Sequence, residues 1–402
     1  FPPGSASRIP LVAVTGTNGK TTTSRMIRAI LARAGFHPGL ACSEGVYIGE
    51  QEPVKAGDLS GLIGHYQLLG SPEIDCAVLE TARGAVLKMG FGFDHCDVAV
   101  CLNVTRDHLE DCGIDTIEQM AALKRSIASR ARGAVVLNAD DPRCLGMAPF
   151  ADTGRLCLVS TERSIQALRS LEVRCDCYLV VEEAAGEQQL VLYDRDRRQA
   201  MVPVKAIPAA YGGLARHNLS NALHACAACY LLDIGIDRAS LAAGLGQFQM
   251  NFENTPGRMN FYDELPFRVL LDYAHNPGGI SRLCDFADSL PAQGRKIVAF
   301  SAASYNPEEI IRGNARAAAG HFDHYVCYNF LTNINKGDDD IPQILADTLQ
   351  CCGVAASTIS VEHSGLNAIE AILKMAAPGD LVVFLSGYSD RREIWERITT
   401  HT

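Results

Sequence analysis

Lys20 stands in the run Val12-Ala13-Val14-Thr15-Gly16-Thr17-Asn18-Gly19-Lys20-Thr21-Thr22-Thr23. An apolar stretch ends in a turn framed by glycines. A lysine and three hydroxyl residues follow and lead into the helix-like stretch Ser24 to Ala34. Residues of these types at this spacing can hold a nucleoside triphosphate. Glycines let backbone N–H groups approach phosphate oxygens, and a helix N-terminus adds the positive end of its dipole. A lysine here reaches the β and γ phosphates, and the next hydroxyl can ligate Mg²⁺. Gly16, Thr17, Asn18, Gly19, Lys20, Thr21 and Thr22 are therefore the expected nucleotide contacts, with ATP and Mg²⁺ as the ligands. The common phosphate loop reads G-x-x-x-x-G-K-[ST]. Counting back five from Gly19 reaches Val14, so the turn here is of a tighter form.

Other residues suit the same chemistry. Glu80 ends an apolar run, where a carboxylate near a phosphate loop can hold Mg²⁺; a solvated strand end is the alternative. His108, in Leu102-Asn103-Val104-Thr105-Arg106-Asp107-His108-Leu109, follows a second apolar run, and a histidine on a turn needs no function. Lys124 sits in a helical pattern beside Arg125, as an exposed helical lysine also would. Asn218 and Asn221 are three apart on one helical face, as a cap with buried amides also would be. Arg258 follows Thr255-Pro256-Gly257, and its guanidinium can fork two hydrogen bonds to phosphate. Asp272 and His275 lie in Asp272-Tyr273-Ala274-His275-Asn276-Pro277, at the end of another apolar run.

These residues need elements to place them. Strand-length apolar runs at 11–15, 75–80, 97–103 and 133–138 alternate with helical patterns at 20–34 and 116–130. That alternation predicts a mostly parallel sheet with helices on both faces. Residues 173–205 differ: Tyr178–Glu182 and Gln189–Tyr193, divided by Gly186, predict an antiparallel β-hairpin insert. Helices are predicted near 217–232 and 238–246. After a break at Asn254-Thr255-Pro256-Gly257 a second alternation begins, with strands at 268–272, 295–300, 323–328 and 380–385. Its helices are predicted at 279–290, 307–320, 341–351 and 366–376. The expected fold class is α/β: a P-loop-type central domain over 1–252 and a smaller Rossmann-like α/β domain over 253–402, with a hinge near 250–258.

Composition excludes some classes. The 402 residues suit two or three domains, and nearly half are apolar. A net charge of −10 with no basic block argues against nucleic acid as a partner. No apolar run approaches the length of a membrane span, and no signal-peptide pattern occurs. Most of the 15 cysteines, including the Cys226-x-x-Cys229 pair, lie in apolar runs. They read as core thiols in a cytoplasmic protein, since a second pair at zinc spacing is missing. Phe1-Pro2-Pro3-Gly4-Ser5 reads as a linker, which suggests a piece of a longer polypeptide.

The Thr-Gly-Thr-Asn-Gly-Lys-Thr loop, Asn103-x-x-x-Asp107-His108-Leu109, Asn138-Ala139-Asp140-Asp141, His217-Asn218-x-x-Asn221 and Asp272-Tyr-Ala-His-Asn-Pro277 together resemble the Mur ligase superfamily. Leu79-Glu80-Thr81-Ala82-Arg83-Gly84, Gly92 to Val98 and Asp115 to Gln119 resemble in particular the Mur-like half of cyanophycin synthetases. The resemblance implies an ATP-dependent amide ligase. A carboxylate attacks the γ-phosphate, and an incoming amine then displaces phosphate from the acyl phosphate. It assigns Lys20, His108, Lys124 and Arg258 to catalysis, with Lys124 as a carbamoylation site. Thr21, Glu80 and His108 fall to the metal, and Asn218, Asn221, Arg258, Asp272 and His275 to the nucleotide, some of these after domain closure. The implied partners are an amino acid, a carboxylate-bearing acceptor such as a peptide or polyaspartate-like polymer, and an upstream ATP-grasp domain. The segments 301–307, 328–340 and 386–391 depart from cyanophycin synthetases. Another acceptor (peptide, folate-like or cell-wall precursor) and a non-catalytic nucleotide-binding regulatory module are the rival expectations.

Overall fold

The computed structural model describes residues 8–49, 53–107, 112–151, 154–195, 197–291, 293–304, 306–330 and 340–401. These residues divide into two compact units, one of 8–105 and 112–248, the other of 106–107 and 249–401. Each unit is built on its own sheet.

The first unit takes β1 (Leu11–Thr15), β2 (Pro38–Cys42), β3 (Gly45–Ile48), β4 (Lys55–Ala56), β5 (Cys76–Glu80), β6 (Cys96–Cys101), β7 (Ala131–Asn138) and β8 (Arg155–Ser160). β9 (Cys177–Ala184), β10 (Glu187–Asp194) and β11 (Arg197–Pro203) complete it. The spatial order is β11-β10-β9-β8-β7-β6-β1-β5-β2-β3-β4. The run from β9 to β2 is parallel, and both edges are antiparallel. β1 lies inside the sheet between β6 and β5 and is buried along its whole length, as a strand covered on both faces must be. The helix Lys20–Arg33 springs directly from the turn after β1 and packs on the helices Arg216–Leu231 and Arg238–Gln247. The placement of the loop at the carboxyl end of a central parallel strand follows from this order, and such ends are where α/β sheets bind ligands.

The 173–205 segment is more than a hairpin. β9 and β10 pair antiparallel, but β9 also pairs parallel with β8, Cys157 opposite Cys177, and β11 adds a further strand. The segment thus extends the main sheet. Cys177, Leu179 and Val180 are buried and give β9 the apolar surface needed inside a sheet. β11 opens with Arg197-Arg198-Gln199 and buries only Met201 and Val202, too short a signal to read as a strand.

The second unit holds β12 (Asn260–Tyr262), β13 (Arg268–Asp272), β14 (Lys296–Phe300), β15 (His324–Tyr328), β16 (Ile359–Glu362) and β17 (Leu381–Leu385). The order is β12-β13-β17-β14-β15-β16, parallel throughout except for the β12 edge. Val269, Leu271, Ile297, Ala299, Val326, Val382 and Phe384 point into one core with Ile369 and Ile372 of the helix Gly365–Met375. The fold is therefore α/β, a large mostly parallel sheet followed by a smaller one.

All 15 cysteines carry free thiols, and Cys226 and Cys229 are buried. No helix among the described residues is long and apolar enough to cross a membrane.

Candidate active site

In the first unit the loop after β1 is held by Asn103, which follows β6. The Asn103 side chain accepts from the Asn18 N–H at 2.8 Å and donates to the Asn18 carbonyl at 3.0 Å. Its own carbonyl accepts from the Thr17 N–H at 2.9 Å. The Thr17 hydroxyl in turn accepts from the Thr105 N–H at 3.0 Å. One side-chain amide thus fixes the peptide groups on both sides of Asn18, so the loop's remaining N–H groups are oriented before any ligand arrives. The Lys20 ammonium, half-exposed at the helix start, donates to the Thr17 carbonyl at 3.0 Å.

Gly19 sits at φ 87°, a left-handed conformation, and caps the helix Lys20–Arg33. A Cβ there would lie 2.4 Å from Asn221 Oδ1. Asn221 is buried and donates to Asn218 Oδ1 at 3.2 Å, so its amide has little freedom to withdraw. The structure therefore brings Asn221 directly against the loop, and Asn218 braces Asn221. Gly19→Ala is expected to lose at least about 1–2 kcal/mol to the left-handed backbone alone, and more to the contact with Asn221. Calorimetric titration with ADP checks this: binding at the parent affinity would contradict the crowding described here.

Thr21, Thr22 and Glu80 are all buried. The Thr21 hydroxyl donates to Glu80 Oε2 at 2.9 Å and lies 3.0 Å from the Ser43 hydroxyl. The Ser43 N–H also donates to Glu80 Oε2, at 3.1 Å. A carboxylate and two hydroxyls at the phosphate loop form an all-oxygen set, the donor chemistry hard cations require. Among the described residues no group of three or more His, Cys, Asp or Glu side chains could hold a metal ion alone. Mg²⁺ fits that pattern, since it typically takes one or two carboxylates and completes its shell with phosphate oxygens and water. His108 lies outside the described residues.

Lys124 is buried, 4% exposed, in the helix Ile117–Ala128, which starts at a Thr116–Gln119 capping box. The rival reading of an exposed helical lysine is thereby removed. Burial pushes the Cys101 thiol up to about 12, and the nearby Lys124 charge opposes that shift.

The second unit gathers its own cluster. Asn260, fully buried, accepts from the Gly257 N–H at 2.6 Å and donates to the carbonyls of Thr255 and Arg258, both at 3.1 Å. This locks the turn that presents Arg258. Gly257, at φ 69°, lets the chain make that turn, and Arg391 packs over it and donates to the Pro256 carbonyl at 3.3 Å. The Arg258 guanidinium lies 5.5 Å from the Tyr273 ring centre. Asp272, at the end of β13, accepts from the N–H groups of Met259 and Ala274 at 2.9 and 2.8 Å. Burial raises its carboxyl above the ordinary value, and those N–H groups and the Arg258 charge hold back the rise. His275 donates through Nδ1 to the Tyr273 carbonyl at 2.9 Å. Burial, the largest single effect, opposes its protonation, but Asp107, 3.7 Å from Nε2, and the Tyr273 carbonyl together lift it above the usual histidine value. Asp107 also accepts from Asn276 at 3.1 Å, and Asn276 caps the helix Pro277–Ser289.

The sequence reading placed no role on Ser43, His65, Asn260 or Arg391. Asn103 and the segment 386–391 were noted, the one as part of a motif and the other as a departure from a relative. Only the fold shows that the first staples the loop and that Arg391 covers the Arg258 turn.

Comparison with known proteins supplies the class. Residues 14–229 match the Mur ligase middle domain, and residues 257–387 match the Mur ligase glutamate ligase domain. The chain belongs to the Mur ligase family. It is 35% identical over 342 residues to a cyanophycin synthetase of Crocosphaera subtropica, covering 85% of this chain and 37% of that protein. It is 26% identical to the UDP-N-acetylmuramoyl-L-alanyl-D-glutamate–2,6-diaminopimelate ligase of Chlamydia trachomatis, over 93% of this chain and 72% of that one. Among solved structures, a bifunctional folylpolyglutamate synthase/dihydrofolate synthase with Mn, AMPPNP and L-glutamate bound has a TM-score of 0.68 at 18% identity. That match covers 97% of this chain and 89% of the other and shows a shared fold. The chain spans well under half the length of the cyanophycin synthetases it resembles.

Proposed function

We propose that this chain is the ATP-dependent ligase part of a cyanophycin-synthetase-like protein, joining an amino acid to a carboxylate-bearing acceptor through an acyl phosphate. The observation that carries this reading is the preset phosphate loop. Asn103 holds both sides of Asn18, and Thr21, Ser43 and Glu80 meet at the start of the helix. A loop fixed in this way spends no binding energy on ordering itself, so its N–H groups and Lys20 can act on charge that develops during phosphoryl transfer.

Each residue then has a task. The loop N–H groups and the Lys20 ammonium bind phosphate oxygens and spread the charge of the transferred phosphoryl group. Thr21 and Glu80, with His108, are the proposed ligands of Mg²⁺, which when bound would neutralise phosphate charge. Asn218 and Asn221 are proposed nucleotide contacts, as are Arg258, Asp272 and His275 of the second unit. The burial of Lys124 supports its proposed carbamoylation, because the side chain points into the fold and not onto a solvated face. None of these roles needs a protein nucleophile, so positioning and electrostatics do the work. The reading extends to an ATP-grasp half in the same polypeptide as a partner, and to the cytoplasm as its location.

The test is release of inorganic phosphate from ATP and Mg²⁺ with single amino acids and candidate acceptors, including aspartate oligomers and glutamate-tailed peptides. Release that appears with one acceptor–amine pair only is the expected result, and the pair names the substrates. ATP binding with no release for any pair would favour a regulatory module instead.

A further inference from the structure

His65 lies in the helix Leu62–Leu69 and is 1% exposed. Its Nε2 is 2.9 Å from the main-chain carbonyl of Glu80. A carbonyl oxygen only accepts, so Nε2 carries the proton and donates it. The other ring nitrogen, Nδ1, is buried with no hydrogen-bond partner among the described residues. The ring is wedged against Phe93, with centroids 5.7 Å apart, and a Cβ on Gly92 would lie 2.5 Å from the His65 Cβ. Packing therefore fixes the imidazole, while hydrogen bonding uses only one of its two nitrogens.

A buried histidine that satisfied only the core would be expected to use both nitrogens, or to be replaced by an apolar residue, since an unpartnered polar atom costs about 1–3 kcal/mol. The bond it does make falls on the last residue of β5, whose side chain accepts from Thr21 and Ser43. The strand ladder ends there. β1 reaches the neighbouring residue through the Thr81 N–H donated to Val14, and the Thr81 hydroxyl turns back to the Leu79 carbonyl. His65 supplies a further, side-chain restraint on the Glu80 peptide.

We infer that His65 is a positioning residue, which holds the Glu80 main chain so that the Glu80 carboxylate faces Thr21 and Ser43 and is set for a divalent cation beside a nucleotide. The inference deepens the proposed function and rests on its nucleotide–metal reading. His65 itself touches neither the cation nor the phosphates.

The experiment measures Mn²⁺ affinity of the ADP-loaded protein by electron paramagnetic resonance, with ADP affinity measured separately in the presence of a chelator. Partners that orient a metal ligand typically change metal affinity by about 10–100-fold when removed. His65→Leu, which removes the donor, is expected to weaken Mn²⁺ within that range, with ADP affinity in chelator held within about threefold. His65→Gln, whose amide can reach the same carbonyl, is expected to recover most of the loss. If His65→Leu does not fold, His65→Asn carries the test, since its shorter amide stays polar but falls short of Glu80. A donor-less variant that binds Mn²⁺ like the parent overturns the inference. So does one that loses ADP in chelator as severely as Mn²⁺, because that marks general damage to the loop. If the parent itself gathers no Mn²⁺ beside ADP, the nucleotide–metal reading fails first and the inference falls with it.

Discussion

Lys20→Ala is expected to lower phosphate release by about 10²–10³-fold while leaving the fold in place, on the scale of removing a preorganised charge-stabilising donor. The Lys20 side chain is half-exposed and makes one bond within the loop, to the Thr17 carbonyl at 3.0 Å. Losing that bond costs about 0.5–1.5 kcal/mol of stability, a small part of a typical domain's total. The loop keeps its shape because Asn103, not Lys20, fixes Asn18 and Thr17. The loss should therefore fall on charge neutralisation at the phosphates. Lys20→Arg should restore little, since a planar guanidinium is longer and bulkier than a point-like ammonium. Steady-state phosphate release and thermal melting, measured together on both variants, check this. Turnover within tenfold of the parent in Lys20→Ala would refute the assignment of the loop to phosphoryl transfer.

The loop was legible because local sequence determines it: a strand, a glycine at a left-handed position, and hydroxyls on the following turn are all within a dozen residues. The sheet's centre was legible for a similar reason, since fully buried parallel strands read as continuous apolar runs. Its edges were not. β2 and β3 have only Pro38-Gly-Leu-Ala-Cys42 and Gly45-Val-Tyr-Ile48 to declare themselves, and their glycines read as turn residues. β8 carries six residues, Arg155–Ser160, and its strand character shows only when β7 and β9 flank it. The site divides along the same line. Ser43 reaches Glu80 across 37 positions, and Asn103 reaches Asn18 across 85. Such contacts depend on strand order, which the sequence pattern leaves open. At Lys124 the sequence left two readings, a carbamoylation site and an exposed helical lysine beside Arg125. At 3.6 residues per turn neighbours differ by about 100° in direction, and Lys124 faces inward, which removes the second.

Glu80→Gln separates the charge at this site from its shape. Glu80 is 2% exposed, and its Oε2 accepts from the Thr21 hydroxyl and the Ser43 N–H. A glutamine oxygen can accept both bonds, and the His65 bond to the residue 80 carbonyl is untouched by the change. The variant should therefore fold. Because it removes a buried charge, its melting temperature should equal or exceed the parent's. What it loses is the one negative charge within the Thr21–Ser43–Glu80 oxygen set, and a divalent cation is held chiefly by that charge. Mn²⁺ binding to the ADP-loaded protein should weaken strongly, and Mg²⁺-dependent phosphate release should fall by about 10²–10³-fold, as when other groups that stabilise transferring charge are removed. ADP affinity in chelator should stay near the parent value. Unchanged release with an unchanged melting temperature would remove Glu80 from the metal site. A sharp drop in melting temperature would instead make the carboxylate structural, a charge that Thr21 and Ser43 hold in place for the strand end. The double variant His65→Leu/Glu80→Gln then closes the cycle. If His65 acts only through the Glu80 carboxylate, its removal should cost Mn²⁺ affinity in the parent and nothing further once that carboxylate is gone.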